Sequence, residues 1–246
     1  MNFASVQSVT IPEGDVRSIA IGGVTVWTKP NPLPYDAEVD YVASTGAQYV
    51  DTGIIPTLSD AVSVDADMVL TTINTNDNNI LFGSYYDNNV AGTSTVFQSR
   101  IFAFVDSSRK ARIAYGGAAS GTVAVSANER LSVSAQFAPG NSRLLVNGVQ
   151  SSASSSSPTI LPNIAIWIFR AAYGISSVAV SPCSARLYSL TITVNGTIVR
   201  SFVPVRVGTA GYLYDRANPT GGPLGNGLYG SATATPLVAG PDKNGG

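Results

Sequence analysis

Residues 185–215, ARLYSLTITVNGTIVRSFVPVRVGTAGYLYD, decide the fold of this chain. At the centre of the segment, Asn195 and Gly196 separate two runs that are rich in β-branched residues, which is a strong sequence signal for a β-hairpin. Both residue types tolerate the positive φ that a type I′ turn requires. A two-residue loop fixes a register with three predicted pairs: Val194 with Thr197, Ile192 with Val199, and Tyr188 with Val203.

The alternation of side chains along this hairpin predicts one buried face and one solvent face. The predicted buried face is apolar and consists of Tyr188, Leu190, Ile192, Val194, Val199 and Val203. The predicted solvent face carries Ser189, Thr191, Thr193 and Arg200. We therefore expect the hairpin to belong to an antiparallel sheet that covers a core.

From residue 39 onward the chain is a succession of short strands separated by turns. Residues 61–72 and 131–137, for example, alternate apolar and polar side chains, as half-buried strands do. No long helix is predicted, and only residues 171–177 suggest a turn of 3₁₀-helix. About twelve strands without crossover helices predict an all-β fold, an antiparallel two-sheet jelly-roll sandwich.

The first 29 residues form a separate unit, a small N-terminal β-hairpin module about Gly22 and Gly23. So few strands are not stable in isolation, so residues 1–29 should dock on the rest of the chain, on a second copy of the chain or on another protein. We favour the last two. The candidate attachment or oligomer contacts are apolar: Ile19, Ile21, Val24, Val26 and Trp27.

Three further boundaries follow from composition. Residues 30–38 contain three prolines and are predicted to be a stiff, extended linker. Residues 39–235 are the predicted jelly-roll domain. Residues 236–246, which follow a Gly- and Pro-rich closing segment, are predicted to be a flexible tail.

The composition excludes several functions. Charged residues make up 12% of the chain and the net charge is −1, without the clustered Lys and Arg that nucleic-acid binding needs. Histidine is absent and Cys183 is the single cysteine, which excludes a disulfide within the chain, zinc, redox metals and a base-activated thiolate. We expect Cys183 to be a small buried apolar residue.

Membrane insertion is not expected. The first residues lack the basic and apolar regions of a signal peptide, and no apolar stretch approaches the roughly 20 residues of a membrane span. We expect the chain to be made in a cytoplasm.

Four segments resemble one family. Residues 40–53, DYVASTGAQYVDTG, are similar to the opening motif of a group of concanavalin A-like (laminin-G-like) jelly-roll domains in bacteriophage and prophage virion proteins of gut bacteria. Residues 80–83, ILFG, and residues 129–150 and 186–215 resemble later family motifs in the same order. The chain departs from the family at Val205, where a cysteine is usual, and at Ala43, where glutamate is common.

The resemblance implies a non-enzymatic bacteriophage protein at the virion surface, made in the bacterial host cytoplasm. It would be a head fibre, capsid decoration or tail-associated protein that displays a lectin-like domain for adhesion to host or mucosal glycans. Residues 1–29 would contact other virion proteins or form a homo-oligomer, with a trimer suggested by analogy to phage fibres. The alternative is a purely structural capsid-decoration protein that stabilises the particle without binding sugar.

A glycan-degrading enzyme is the third hypothesis. Glycoside hydrolysis usually needs two carboxylates about 5–10 Å apart. Only Asp65 and Asp67 have the spacing of a catalytic strand, and no third acid follows them. We therefore favour a solvated strand face for this pair.

Sugar binding requires aromatic rings beside amide and carboxylate groups, and one segment offers that mixture: Tyr85, Tyr86, Asp87, Asn88 and Asn89. Other candidate aromatic residues are Tyr115, Trp167, Tyr173 and Tyr212. We expect no cofactor. Residues 74–79 and 87–89 could supply oxygen ligands to calcium, although plain turns account for the same residues.

Overall fold

The computed structural model describes residues 18–21, 24–28, 33–88, 97–155, 158, 163–173 and 183–243. The chain divides into two units, Met1–Leu33 and Pro34–Gly246. None of the described residues is helical, so the predicted all-β fold is confirmed. In particular, those residues include no helix that is long and apolar enough to cross a membrane.

In the first unit, strands β1 (Ser18–Ile21) and β2 (Val24–Thr28) form an antiparallel hairpin. Ile19 pairs with Trp27 and Ile21 with Val24. A register shift follows Ile19, so the backbone of Val26 has no partner in this register. The hairpin agrees with the prediction, and its role in attachment stays a prediction. Residues 1–17 and 29–32 lie outside the described residues.

The strands described in the second unit are mostly short. In chain order they are β3 (Ala37–Glu38), β4 (Val42–Thr45), β5 (Val50–Asp51), β6 (Val62–Leu70), β7 (Asn79–Asn88), β8 (Phe97–Val105), β9 (Ala111–Tyr115), β10 (Gly117–Ala118), β11 (Arg130–Phe137), β12 (Ser142–Val146), β13 (Val149–Ser154), β14 (Trp167–Ile168), β15 (Ala171–Tyr173), β16 (Ser184–Val194), β17 (Thr197–Val207), β18 (Ala210–Asp215), β19 (Leu228–Tyr229) and β20 (Leu237–Ala239).

These strands form two sheets. The smaller has the order β10-β9-β8-β7-β14-β5, and β15 pairs with β7 in parallel. The larger has the order β13-β12-β11-β6-β16-β4-β20-β18-β17-β3, with β19 beside β18. All other pairings are antiparallel, which confirms the two-sheet sandwich. The predicted 3₁₀ turn is wrong for residues 171–173, because they form β15.

One continuous apolar core joins the two sheets. The larger sheet contributes alternate residues of its central strands, including Val64, Met68, Leu131, Val133, Phe137, Leu190, Ile192 and Phe202. The smaller sheet contributes Leu81, Phe82, Ile101, Ile113, Tyr115 and Ile168. Each fully buried large apolar side chain stabilises the fold by about 1.5–3 kcal/mol, so this core holds the sheets together.

The hairpin β16–β17 has the predicted turn and a different register. Asn195 and Gly196 have φ of 51° and 80°, and Val194 pairs with Thr197 as predicted. Beyond the turn the register shifts, and Ile192 pairs with Arg200 instead of Val199. Val199 is therefore the extra residue of a β-bulge.

The bulge corrects the predicted faces of β17. A shift of one residue moves the following side chains to the opposite face of a strand. Phe202, not Val203, is buried in the core and pairs with Leu190, and Arg200 lies on the core side instead of the solvent face. The predicted pair of Tyr188 with Val203 is therefore wrong.

A second shift between Leu187 and Ser189 removes Tyr188 from the core. Its ring lies 3.9 Å from the guanidinium carbon of Arg130 and packs edge-on against Tyr41 at 5.6 Å. The predicted burial of Tyr188 with the apolar face is thus corrected, and its place inside is taken by Leu187.

Two predicted boundaries also change. Ala37–Glu38, assigned to the linker, pairs with β17. Leu237–Ala239, assigned to the flexible tail, lies in the larger sheet between β4 and β18. The side chain of Leu237 is only 1% exposed, and Arg206 donates two hydrogen bonds to Asp242 at 2.6 and 2.8 Å. Burial and ion pairing therefore hold residues 237–242 on the sandwich.

Candidate ligand-binding site

A cavity of about 620 Å³ lies where three parts of the second unit meet. These parts are the edge strand β5 of the smaller sheet, strand β17 of the larger sheet, and the Gly-rich segment 216–232 that follows β18. Its polar and apolar lining side chains include Asp51, Arg200, Asn218, Leu224, Tyr229 and Ser231.

Arg200 provides a fixed cation in the lining. Its Nε donates to the carbonyl of Thr52 at 3.0 Å and its Nη1 to the carbonyl of Val199 at 2.7 Å. A Cβ added to Gly53 would lie 3.6 Å from Nη2, so this nitrogen borders the wall that Gly53 forms. The bulge at Val199 is what turns this side chain inward.

Asp215 supports Arg200 from behind. The carboxylate is fully buried, and its Oδ2 lies 3.6 Å from Nε of Arg200. Its Oδ1 accepts hydrogen bonds from the backbone N–H groups of Ser201 at 2.8 Å and Ala217 at 3.0 Å. These bonds fix the point where segment 216–232 leaves β18, because Asp215 is the last residue of that strand.

The opposite wall is fixed by the smaller sheet. Oδ1 of Asp51 accepts from the N–H of Gly53 at 2.8 Å, which holds this carboxylate at the edge of β5. The N–H of Ala232 donates to the carbonyl of Tyr49 at 2.8 Å, so segment 216–232 is also tied to the chain just before β5. Tyr49 in turn stacks on Trp167 with ring centroids 4.0 Å apart.

Tyr229 contributes a neutral phenol to this site. Burial raises its pKa above the ordinary value, the carboxylates of Asp215 and Asp51 raise it further, and Arg200 opposes them. The guanidinium carbon of Arg200 lies 5.5 Å from the ring centroid. The hydroxyl therefore keeps its proton at neutral pH.

A second cavity of about 230 Å³ adjoins the first, and Leu224, Gly230 and Ser231 line both. Tyr212, one of the predicted aromatic candidates, lines this smaller cavity. Leu224 is 59% exposed, so the shared wall offers apolar surface next to polar groups. Small-molecule sites have this composition, and the larger cavity falls in their usual range of about 300–1,000 Å³.

The predicted sugar-binding segment lies elsewhere, on β7. Tyr85 is half-buried, packs edge-on against Phe102 at 6.1 Å, and has the guanidinium carbon of Arg100 at 5.2 Å. Asp87 and Asn88 continue the strand instead of forming the predicted loop. The side chains of Tyr86, Asp87 and Asn88, and all of Asn89, lie outside the described part of the chain. This site stays a prediction.

The other aromatic candidates differ in position. Tyr115 is 1% exposed and lies in the main core, and Trp167 is 8% exposed and lies in a smaller apolar cluster with Ala165. Burial also raises the pKa of Tyr115. Tyr173 lies in β15, and its side chain is not described. Of the four, Tyr212 lies at a cavity.

The sequence missed Arg200 and Asn218 as site residues. Arg200 was assigned to the solvent face because no sequence signal marks the bulge at Val199. Asn218 lies in the Gly- and Pro-rich segment after β18, and that composition was the available hint, since functional residues often lie in loops on a rigid scaffold.

Asp65 and Asp67 lie on the outer face of the larger sheet, away from both cavities. Their neighbours Val64, Ala66 and Met68 point into the core. Arg130 donates to both carboxylate oxygens of Asp67, at 2.8 and 2.7 Å. The pair therefore lies on an open sheet surface, and one member is neutralised.

The predicted oxygen ligands for calcium are engaged within their own loop. Oδ1 of Asn74 accepts from the N–H of Asn76 at 3.0 Å, and Oδ1 of Asn79 accepts from the N–H of Asn74 at 2.8 Å. Among the described residues, no three His, Cys, Asp or Glu side chains are grouped to hold a metal ion.

Cys183 is a free, fully buried cysteine, which confirms its prediction as a buried apolar residue. Burial raises the pKa of its thiol.

Comparison with known proteins gives the class of fold. No protein-family model matches the sequence, and no curated protein matches it. Among solved structures, a Bacteroides ovatus protein to which carbohydrate binding is provisionally ascribed matches 82% of this chain at 12% identity, with a TM-score of 0.54. The match covers 60% of that protein's length. It shows the fold alone, a two-sheet β-sandwich.

Two further structures match less of the chain. Trypanosoma rangeli sialidase covers 54% of this chain and 20% of its own, at 16% identity and a TM-score of 0.40. An alginate lyase of polysaccharide lyase family 7 covers 56% of this chain and 60% of its own, at 13% identity and a TM-score of 0.36. At these scores neither says anything about this chain.

Proposed function

We propose that this protein is a lectin-like, glycan-binding protein and that the cavity beside Arg200 is its binding site. The observation that carries the proposal is the lining itself: a fixed guanidinium, a carboxylate, an amide and a hydroxyl converge beside the exposed Leu224. The hydroxyl groups of a sugar can hydrogen-bond to these four polar groups, and its C–H surface can pack against Leu224. The carbohydrate binding ascribed to the B. ovatus protein of similar fold supports the same class of ligand.

The finer role is adhesion from the surface of a bacteriophage virion, in a head fibre, capsid decoration or tail-associated protein. The resemblance of residues 40–53 to virion jelly-roll domains supports this setting. Residues 1–29 would attach the chain to other virion proteins or join copies of it, since the two strands of their hairpin are too few to be stable alone.

The role is proposed to be non-enzymatic. Among the described residues, Asp51 is the single carboxylate that lines the larger cavity, and Asp215 behind it is fully buried and bonded to backbone N–H groups. Two carboxylates that flank the scissile bond are the usual requirement for glycoside hydrolysis. A polysaccharide that is cleaved, with activity lost in Asp65→Asn or Asp67→Asn protein, would overturn this part of the proposal.

A glycan array with the full chain tests the binding role. We expect binding to host or mucosal glycans, reduced at least tenfold by Asn218→Ala. The control is Asp67→Asn, which changes an outer-face carboxylate and should leave binding unchanged. If no glycan binds, the glycan-binding proposal is overturned in favour of the purely structural decoration role, for which loss of the protein should leave particles fragile but still able to adsorb.

A further inference from the structure

We infer that the two adjoining cavities are consecutive subsites for an uncharged oligosaccharide, with Asp51 selecting against acidic sugars. The inference rests on the proposed glycan binding and adds the class of ligand. It follows from the charges that surround Arg200 and from the wall that the cavities share.

The charges at the site favour an uncharged ligand. Arg200 is the one cation among the residues that line the described cavities, and it is opposed by Asp51 in the lining and by Asp215 behind it. Two carboxylates against one guanidinium leave one net negative charge at the site. In a partly desolvated cavity, a like charge on the ligand costs more than it would in water. A sialic or uronic acid would therefore be disfavoured.

The hydrogen bonds of the Arg200 guanidinium limit how it can bind a ligand. Paired recognition of a carboxylate uses two neighbouring N–H groups of arginine in parallel. The Nε–H of Arg200 already donates to Thr52, and one Nη1–H donates to Val199. The edge formed by Nε and Nη2 is therefore not free to hold a carboxylate in a fork. One of the two guanidinium edges that can hold a carboxylate is thus occupied, and the two N–H groups of Nη2 remain to donate to sugar hydroxyls.

The two cavities share a wall that includes Gly230. A Cβ added to Gly230 would lie 3.0 Å from the ring of Tyr212 and 3.3 Å from Cδ1 of Leu224, so a larger residue here would crowd the boundary that the two cavities share. At about 230 Å³, the second cavity is smaller than most independent ligand sites. It fits an extension of the first, in which one sugar ring contacts Tyr212 and Leu224 while the next bonds to polar groups.

The test measures the affinity of the full chain by titration calorimetry for matched neutral mono- and disaccharides and for their sialylated or uronate counterparts. We expect neutral disaccharides to bind at least tenfold more tightly than the monosaccharides, and acidic counterparts to bind at least tenfold more weakly. Asp51→Asn should narrow the difference between neutral and acidic ligands, because it removes the repulsion and keeps Oδ1 for Gly53.

Gly230→Ala tests the link between the two subsites. We expect it to weaken disaccharide binding more than monosaccharide binding, so that the two affinities converge. The matched control is Gly240→Ala, whose added methyl would also lie 3.0 Å from a tyrosine ring, that of Tyr41, but lines neither cavity.

The outcomes separate the two levels of the proposal. Preferential binding of acidic sugars, or equal affinity for mono- and disaccharides, overturns this inference and leaves glycan binding intact. Failure of every saccharide to bind overturns the proposed function itself.

Discussion

Gly83 shows how a single position constrains the smaller sheet. It pairs with Phe102 on β8 and with Trp167 and Ala171 on the other side of β7. Its φ is 143°, and an added Cβ would lie 2.2 Å from the carbonyl oxygen of Ile101. Both the backbone angle and the close approach require glycine.

We expect Gly83→Ala to lower the free energy of unfolding by about 2–5 kcal/mol, because the methyl group would overlap backbone atoms that cannot move aside and the positive φ adds strain. Urea unfolding measures the effect. The control, Gly148→Ala, has open space and only a positive φ of 77°, so it should cost about 1–2 kcal/mol. Equal stability of the two variants would contradict the steric argument.

Asp60 anchors the hairpin turn from outside. Its carboxylate accepts hydrogen bonds from the N–H and hydroxyl of Thr57, both at 2.8 Å, and from Nδ2 of Asn195 at 2.8 Å. The backbone bond from Thr57, then the Thr57 hydroxyl and Asn195, lower the pKa of Asp60 below its ordinary value. Asn195 thus serves both the turn and the preceding loop.

The lowered pKa predicts a loss of stability in acid. A carboxyl with a depressed folded-state pKa stabilises the protein above its unfolded-state pKa, and this contribution disappears as the pH falls through the folded-state pKa. Urea unfolding from neutral to acidic pH should therefore show a smaller decline for Asp60→Asn than for the unaltered chain. Parallel curves for the two proteins would show that Asp60 does not contribute.

At the level of elements, the sequence predicts the hairpin β16–β17 but not its bulge. The turn residues and the first pair are local, so Asn195 and Gly196 identify them. The bulge at Val199 depends on contacts with strands distant in sequence. The β-branched residues of this segment are compatible with the register with the bulge and with the register without it. This is why the sequence places Val203 and Arg200 on the wrong faces.

Strand β20 was missed for a related reason, because three residues in a Gly- and Pro-rich segment carry no periodicity. We expect Leu237→Ala to cost about 2–5 kcal/mol, since the side chain is 1% exposed in the core. Val238→Ala, at 49% exposure on the same strand, is the control and should change stability by about 0.5 kcal/mol or less. If the two variants lose similar amounts of stability in chemical unfolding, residues 236–246 form the flexible tail that the sequence predicts.

For the whole molecule, strand spacing and the absence of crossover helices were enough to predict the sandwich. The cavity could not be predicted in the same way. Its lining comes from residues as distant as Asp51, Arg200 and Ser231, and only the packing of both sheets brings them together. The predicted site at Tyr85 combines residues that are adjacent in sequence. In a strand, the side chains of adjacent residues point to opposite faces of the sheet.

The division into two units leads to a prediction about assembly. Residues 34–246 contain their own core and should fold without the first unit. If residues 1–33 join copies of the chain, light scattering after size-exclusion chromatography should give an oligomer for the full chain and a monomer for residues 34–246. Trp27→Ala, in β2, should weaken the oligomer without unfolding the sandwich. A monomeric full chain would remove the self-association role and leave attachment to another protein.

The two segments that flank the sandwich run side by side. The N–H of Lys243 donates to the carbonyl of Glu38 at 2.9 Å, and that of Asp40 to Pro241 at 2.8 Å. The chain segments at which the sandwich begins and ends are thus hydrogen-bonded to each other, a geometry that suits domain insertion. Residues 34–243 are therefore suited to insertion into a surface loop of an unrelated protein, because the ends of that loop would not have to separate.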